Sequence, residues 1–388
     1  MPESQLLSAR APASAPAAND AAERTLVVVF LRGGADALTL VPPVGDDAYY
    51  QARPSLAVPR AQALALDGFF SLNPALRELH PLYQAGTLAV VHAVGSEVDT
   101  HSHFEAQDLV EHGGEDVAGG WLGRFLRSRL AEDPRAAGAL AAVGLSAEVP
   151  ESLRASPSAT ALRALDDLDR GREAQALAHQ LRALYADDAE LGAAAEAAFK
   201  AGARIHEMQG AAYRPAAGAH YAERKDGEIA LAFSADLARV AQLIKGGVGL
   251  VAACVDLHGW DSHFVQGQIL EPRMRALALG LSAFAADLGE RLATTTVVVM
   301  SEFGRRVHEN ASLGTDHGRG GAMLVLGGGT AGGMHCRWPG LNDDFLDGPG
   351  DVPVVHNYRD VLAPVLARHG ASDLGAVFPR HQLQPLAL

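Results

Sequence analysis

Thr294-Thr295-Thr296-Val297-Val298-Val299-Met300 runs directly into Ser301-Glu302-Phe303-Gly304-Arg305-Arg306 and, past a polar loop, into Thr315-Asp316-His317-Gly318. A continuous β-branched run bounded by polar residues is the pattern of a strand buried on both faces, as in parallel sheets covered by helices on each side. In open sheets of that kind, ligands sit just beyond the carboxyl ends of the strands. Glu302 leaves this strand end directly.

Three other stretches repeat an apolar run followed at once by acids or histidines. Leu26 to Leu31 ends in Arg32-Gly33-Gly34-Ala35-Asp36, and Leu88 to Val94 leads through Asp99 into His101-Ser102-His103. Val248 to Val255 ends in Asp256-Leu257-His258-Gly259-Trp260-Asp261-Ser262-His263. A fifth run, Ala322 to Leu326, stops at Gly327-Gly328-Gly329. Helical spacing fills Asn73 to Tyr83, Leu231 to Ile244, Leu270 to Leu292 and Tyr358 to His369, so the chain reads as a doubly wound α/β fold with a mostly parallel sheet.

Parallel strands with a common carboxyl edge gather Asp36, His101, Ser102, His103, Asp261, His263, Glu302, Asp316 and His317 into one site. Carboxylate oxygens mixed with imidazole nitrogens suit one or two divalent ions such as zinc, manganese or iron. Ser102 opens a helix between two imidazoles, where a metal and the helix dipole both favour its alkoxide, which makes it the candidate nucleophile. Arg32 and Arg305 are the candidates for holding an anionic oxygen pair. Plainer readings stand beside these: Asp36 as a helix cap after a Gly-Gly turn, Thr100 or Ser102 as an N-cap, Trp260 as packing.

With 388 residues and 48% hydrophobic content, the chain can bury a large core, and general disorder is excluded. A formal charge of −14 with no long Lys/Arg cluster leaves no footprint for nucleic acid. Two cysteines, Cys254 and Cys336, make no disulfide framework. No apolar run is long enough for a transmembrane helix, and Gly-x-Gly-x-x-Gly does not occur between a strand and a helix, so no nucleotide cofactor is expected. Residues 1–23, rich in Ala, Pro and Ser, read as a flexible leader or the remnant of a trimmed export segment without a visible signal, so a cytoplasmic location stays open. The remainder, 24–388, reads as one domain carrying an α-helical insertion over about 121–239, where Ala, Leu, Arg and acids recur at helical spacing.

The set Phe30-Leu31-Arg32-Gly33-Gly34-Ala35-Asp36, Ser102-His103-Phe104, Gly259-Trp260-Asp261-Ser262-His263, Ser301-Glu302-Phe303-Gly304-Arg305 and Asp316-His317-Gly318 resembles the bacterial family catalogued as domain of unknown function 1501. At fold level that family is similar to the alkaline phosphatase and sulfatase superfamily, whose members hold one or two metal ions at strand ends and use a Ser, Thr or modified Cys nucleophile. The resemblance implies an alkaline phosphatase-like sheet, Asp36 as the first-strand metal acid and Ser102 as the nucleophile. It implies Asp261 and His263 as an acid and histidine of the second metal position, and His317, with Asp316 beside it, as the late histidine. Glu302 follows its strand as the superfamily's Asp-His pair does, with Phe303 in the histidine's place. The sulfatase signature Cys-x-Pro-x-Arg is absent. The function implied is a metal-dependent hydrolase of phosphate or sulfate esters acting on a small anionic substrate. The alternative is a metal-stabilised, non-catalytic exported protein for binding or assembly. Many members resemble twin-arginine-exported proteins, which implies a periplasmic or secreted location, although no twin-arginine pair precedes Leu26 here.

Overall fold

The computed structural model describes residues 24–130, 133, 138–156, 158–162, 180, 184–185, 188–209 and 213–388. The leader expected over 1–23, and part of the helical insertion expected between 121 and 239, lie outside the described residues. In chain order the strands are β1 (Thr25–Arg32), β2 (Leu64–Ala65), β3 (Ser71–Leu72), β4 (Leu88–Gly95), β5 (Ala142–Gly144), β6 (Ala159–Ala161), β7 (Ala252–His258), β8 (Thr295–Met300), β9 (Gly321–Gly327), β10 (Gly333–His335) and β11 (His356–Asn357). β2 and β3 form a small antiparallel pair of their own. The others form one mixed α/β sheet in the order β10-β4-β9-β8-β1-β7-β5-β6, with β11 also pairing with β4.

Alternation along the central strands divides the core into two layers. Val27, Val29 and Leu31 of β1, with Val297 and Val299 of β8, pack with Phe233, Leu237 and Val240 of helix Glu228–Lys245 and Leu277, Leu281 and Phe284 of helix Gln266–Leu288. Leu26, Val28 and Phe30, with Val298 and Met300, face the other way onto Phe125 and Leu126 of helix Trp121–Arg129 and Val361, Leu362 and Val365 of helix Tyr358–Arg368. A sheet apolar on both faces needs both coverings, which is why its strands read as unbroken apolar runs. Cys254 is buried inside β7, and burial pushes its thiol up to about 12.

Three expectations are corrected. The strand expected at Ala322, β9, runs antiparallel to both β4 and β8, while β1, β4, β7 and β8 share one direction. A parallel return requires a crossover, usually a helix, and residues 301–320 hold none, so β9 returns beside β8 in reverse. Its beginning, not its end, therefore lies at the carboxyl edge, which delivers Asp316 and His317 there. The third strand sits later than expected: Gly247 and Gly249 turn at positive φ, and β7 continues through Asp256 to His258, paired with Phe30 and Arg32. The span 121–239 contains β5 and β6, which extend the sheet beyond β7, besides helices Trp121–Arg129 and Ala189–Gln209.

Candidate metal and active site

Two glycines bring the strand tips into contact. Gly33, at φ +121°, lies so close to the β7 loop that a Cβ there would sit 2.5 Å from Asp261 N; Gly34, at φ +65°, would place one 2.4 Å from the Phe303 ring. Only a residue without a side chain accepts both the left-handed backbone and the contact. The Arg305 guanidinium, wholly buried, locks the junction by donating to Gly34 O at 2.8 Å, Gly33 O at 2.6 Å, Thr315 O at 2.9 Å and Asp261 Oδ1 at 2.7 Å.

Three histidines converge on Asp261. His317 Nδ1 lies 2.7 Å from His101 O; a carbonyl only accepts, so Nδ1 carries the proton and the neutral ring presents a lone pair at Nε2. His103 Nδ1 lies 2.8 Å from Glu302 Oε1, and His263 Nδ1 lies 3.3 Å from Asp316 Oδ1. The same argument leaves both Nε2 atoms as lone-pair donors in the neutral rings. His263 Nε2 is 2.9 Å from His317 Nε2 and 3.1 Å from Asp261 Oδ1. His103 Nε2 is 3.6 Å from Asp261 Oδ2, buried and without a hydrogen-bond partner among the described residues. The ligand atoms of His103, Asp261 and His317 all fall within 4.8 Å of one another. Lone pairs aimed at one another repel; a divalent cation or an added proton relieves this, and an imidazole and carboxylate set suits a cation such as zinc.

Electrostatics follow the same division. Burial pushes the Asp261 carboxyl up, and Arg305, with His263 and His317 beside it, outweighs this and holds it below the ordinary 3.8. Burial likewise acts upward on Glu302, and hydrogen bonds from His103 and Gln107 overcome it, so the carboxylate is ionised. The bond to Glu302 raises the His103 pKa, whereas burial lowers that of His317. The Phe303 ring packs against both of these rings, 4.9 Å from each, while they stand 4.3 Å from one another.

The sequence-derived residues thus separate into tiers. Asp261, His103, His263 and His317 face one another. Glu302, Asp316 and His101 stand one step back, each fixing one histidine: Glu302 orients His103, Asp316 orients His263, and the His101 carbonyl orients His317. Partners of this kind set tautomer and ring orientation in metal sites. Ser102 is the N-cap residue of helix His103–His112, and its side chain makes no capping hydrogen bond.

Asp36 is not part of this group. It is wholly buried, caps helix Ala37–Leu40 through Leu38 N, and accepts from Arg53 at 2.5 and 3.1 Å, Thr39 Oγ1 at 2.6 Å and Gln266 Nε2 at 2.6 Å. Its oxygens are taken up by the fold. Arg32 is also engaged elsewhere, with Glu111 at 2.6 Å and Asp256 at 3.2 Å. Neither it nor Arg305 has its guanidinium free to hold a ligand oxygen.

Sequence reading missed Gln107, Arg53 and a second group. Gln107 donates to Glu302 at 2.9 Å from the same helix as His103, four residues on, a spacing that the sequence displays. The second group is Asp99, His101 and Asp351, where buried Asp351 Oδ2 lies 2.8 Å from His101 Nε2. Asp351 sits in a Gly-Pro-Gly-Asp turn with no periodic signal, so nothing local marked it.

The family described as "Protein of unknown function (DUF1501)" matches residues 23–385. No curated protein matches the chain.

Proposed function

Given that the chain belongs to this family, whose description carries no activity, we propose that it is a metal-dependent hydrolase of phosphate or sulfate esters. One observation carries the reading: the Nε2 atoms of three histidines, each held from behind, converge on the Asp261 carboxylate. His103, Asp261 and His317 would hold one divalent ion, with His263 beside them. When bound, that ion supplies positive charge that polarises ester oxygens and offsets charge on the leaving group. Glu302 keeps the His103 Nε2 lone pair aimed inward, and the His101 carbonyl does the same for His317. Ser102 precedes His103 at a helix N-terminus, where the backbone N–H groups favour developing negative charge on its hydroxyl. It is the nucleophile in this reading. The alkaline phosphatase-like placement belongs to the same proposal, supported by acids and histidines gathered at the carboxyl edge of a mostly parallel sheet. So does export to the periplasm, which rests on the resemblance alone. Among the described residues no helix is long and apolar enough to cross a membrane.

A second reading keeps the ion and drops the chemistry: a metal-stabilised binding or assembly protein. The two arginines engaged within the fold, and Phe303 packed against two of the histidines, favour it. Metal analysis of the purified protein, followed by a screen of aryl phosphate, phosphodiester and sulfate substrates, separates the two. The hydrolase reading expects turnover that Ser102→Ala abolishes while metal content and folding stay at the parental level. Bound metal with no turnover on any of these esters favours the second reading.

A further inference from the structure

We propose that Arg306 is the oxyanion-binding residue of this site, taking two oxygens of a phosphate- or sulfate-type group; the proposal rests on the hydrolase reading. An anionic ester needs a cationic side chain with unengaged donors near the histidine cluster. Arg32 and Arg305 are tied to the fold, as described above. Arg53 is bound to Asp36 and to the backbone of Arg306 and Val307, and Arg319 is paired with Asp347 at 2.8 Å.

Arg306 differs from all four. Among the described residues no N–H of its guanidinium makes a hydrogen bond, and its side chain meets only two loose ion pairs there, NH1 to Asp316 Oδ2 at 3.6 Å and Nε to Asp351 Oδ1 at 3.9 Å. These carboxylates belong to the two groups on either side. Asp316 holds His263, and Asp351 holds His101. The guanidinium therefore stands between the metal-ligand cluster and the Asp99–His101–Asp351 group, with its side chain 36% exposed.

Its backbone, by contrast, is fixed. Arg306 N donates to Asp316 O at 3.0 Å, Arg53 donates to Arg306 O at 2.9 Å and to Val307 O at 2.8 Å, and the neighbouring Arg305 bridges to His317. A firmly anchored arginine with an unbonded head pairs low ordering cost with an unmet capacity for bidentate oxyanion contacts. This also gives the buried Asp36–Arg53 pair a purpose: it positions the Arg306 backbone without touching a ligand.

The test is thermal unfolding of the full chain, loaded with zinc or manganese, titrated with inorganic phosphate and separately with sulfate. The melting temperature of the parent should rise with oxyanion concentration, since a ligand that binds only the folded state stabilises it. Arg306→Gln should bind roughly 10- to 100-fold more weakly, the range expected for lost hydrogen bonds to a charged group. Arg306→Lys should recover part of the shift, and both should keep parental metal content and circular dichroism. A parent that responds while both variants respond equally well overturns the role of Arg306 and leaves the hydrolase reading intact. A metal-loaded parent that responds to neither oxyanion overturns the hydrolase reading itself.

Discussion

Asp36 and Asp261 stand just beyond the ends of neighbouring strands, β1 and β7, and each faces a buried arginine. Asp36 is wholly buried, and its oxygens accept from Arg53, Thr39, Gln266 and Leu38. Asp261 has a side chain 45% exposed; Arg305 takes one side of Oδ1, and the three histidines stand around its remaining lone pairs. A carboxylate whose lone pairs are satisfied by the fold holds structure. One whose neighbours also offer lone pairs awaits something positive. The two residue types are identical, and only the surroundings divide them.

The sharpest way to break this comparison is to remove Arg53. Arg53→Ala leaves Asp36 charged and unpaired in the core, and loss of one partner from a buried pair costs about 3–5 kcal/mol. Urea unfolding should show a loss of this size, with metal affinity in the surviving folded fraction close to parental. A change under about 1 kcal/mol, the range of an exposed ion pair, would show that Asp36 does not depend on Arg53.

Next in size is Glu302→Gln, which alters the group behind His103 and no facing ligand. Changes to such supporting groups typically lower metal affinity about 10- to 100-fold. Competition with a chromogenic chelator measures it, and parental affinity would place Glu302 outside the site's support.

A smaller effect reads the buried Asp36 pair by pH. Burial alone would raise the Asp36 pKa, but the charge and hydrogen bonds of Arg53, with Thr39 and Gln266, hold it below the ordinary 3.8. A depressed folded-state pKa adds stability that is complete above the unfolded value and is lost as pH falls through the folded one. The metal-free protein should therefore lose this contribution only below about pH 3.8. In Asp36→Asn the corresponding part of the acid-unfolding curve should flatten. A parental slope in that variant would assign the acid sensitivity to other carboxylates.

Much of the frame was legible because buried parallel strands leave a strong apolar signature. β1, β4 and β8 fall where their runs predict, and the residues after β7 and β8 reach the site. The direction of β9 was hidden in what residues 301–320 lack, a crossover helix. β5 and β6, three residues each in an Ala-rich span, are too short to show a period. Within the site, the histidines and Asp261 were legible by position, but their division into facing and supporting groups was not. That division depends on which ring nitrogen meets which oxygen across more than 190 residues, as between His103 and Glu302. Arg53, in the turn after a six-residue helix, gave no sign that it closes off Asp36.

The most direct test is metal stoichiometry in parent, Asp36→Asn and Asp261→Asn after equilibrium dialysis against zinc and, separately, manganese. At least one tightly held ion is expected in the parent and in the folded fraction of Asp36→Asn, and its loss in Asp261→Asn with folding retained. An Asp261→Asn protein that holds as much metal as the parent, or a parent that holds none, would contradict it.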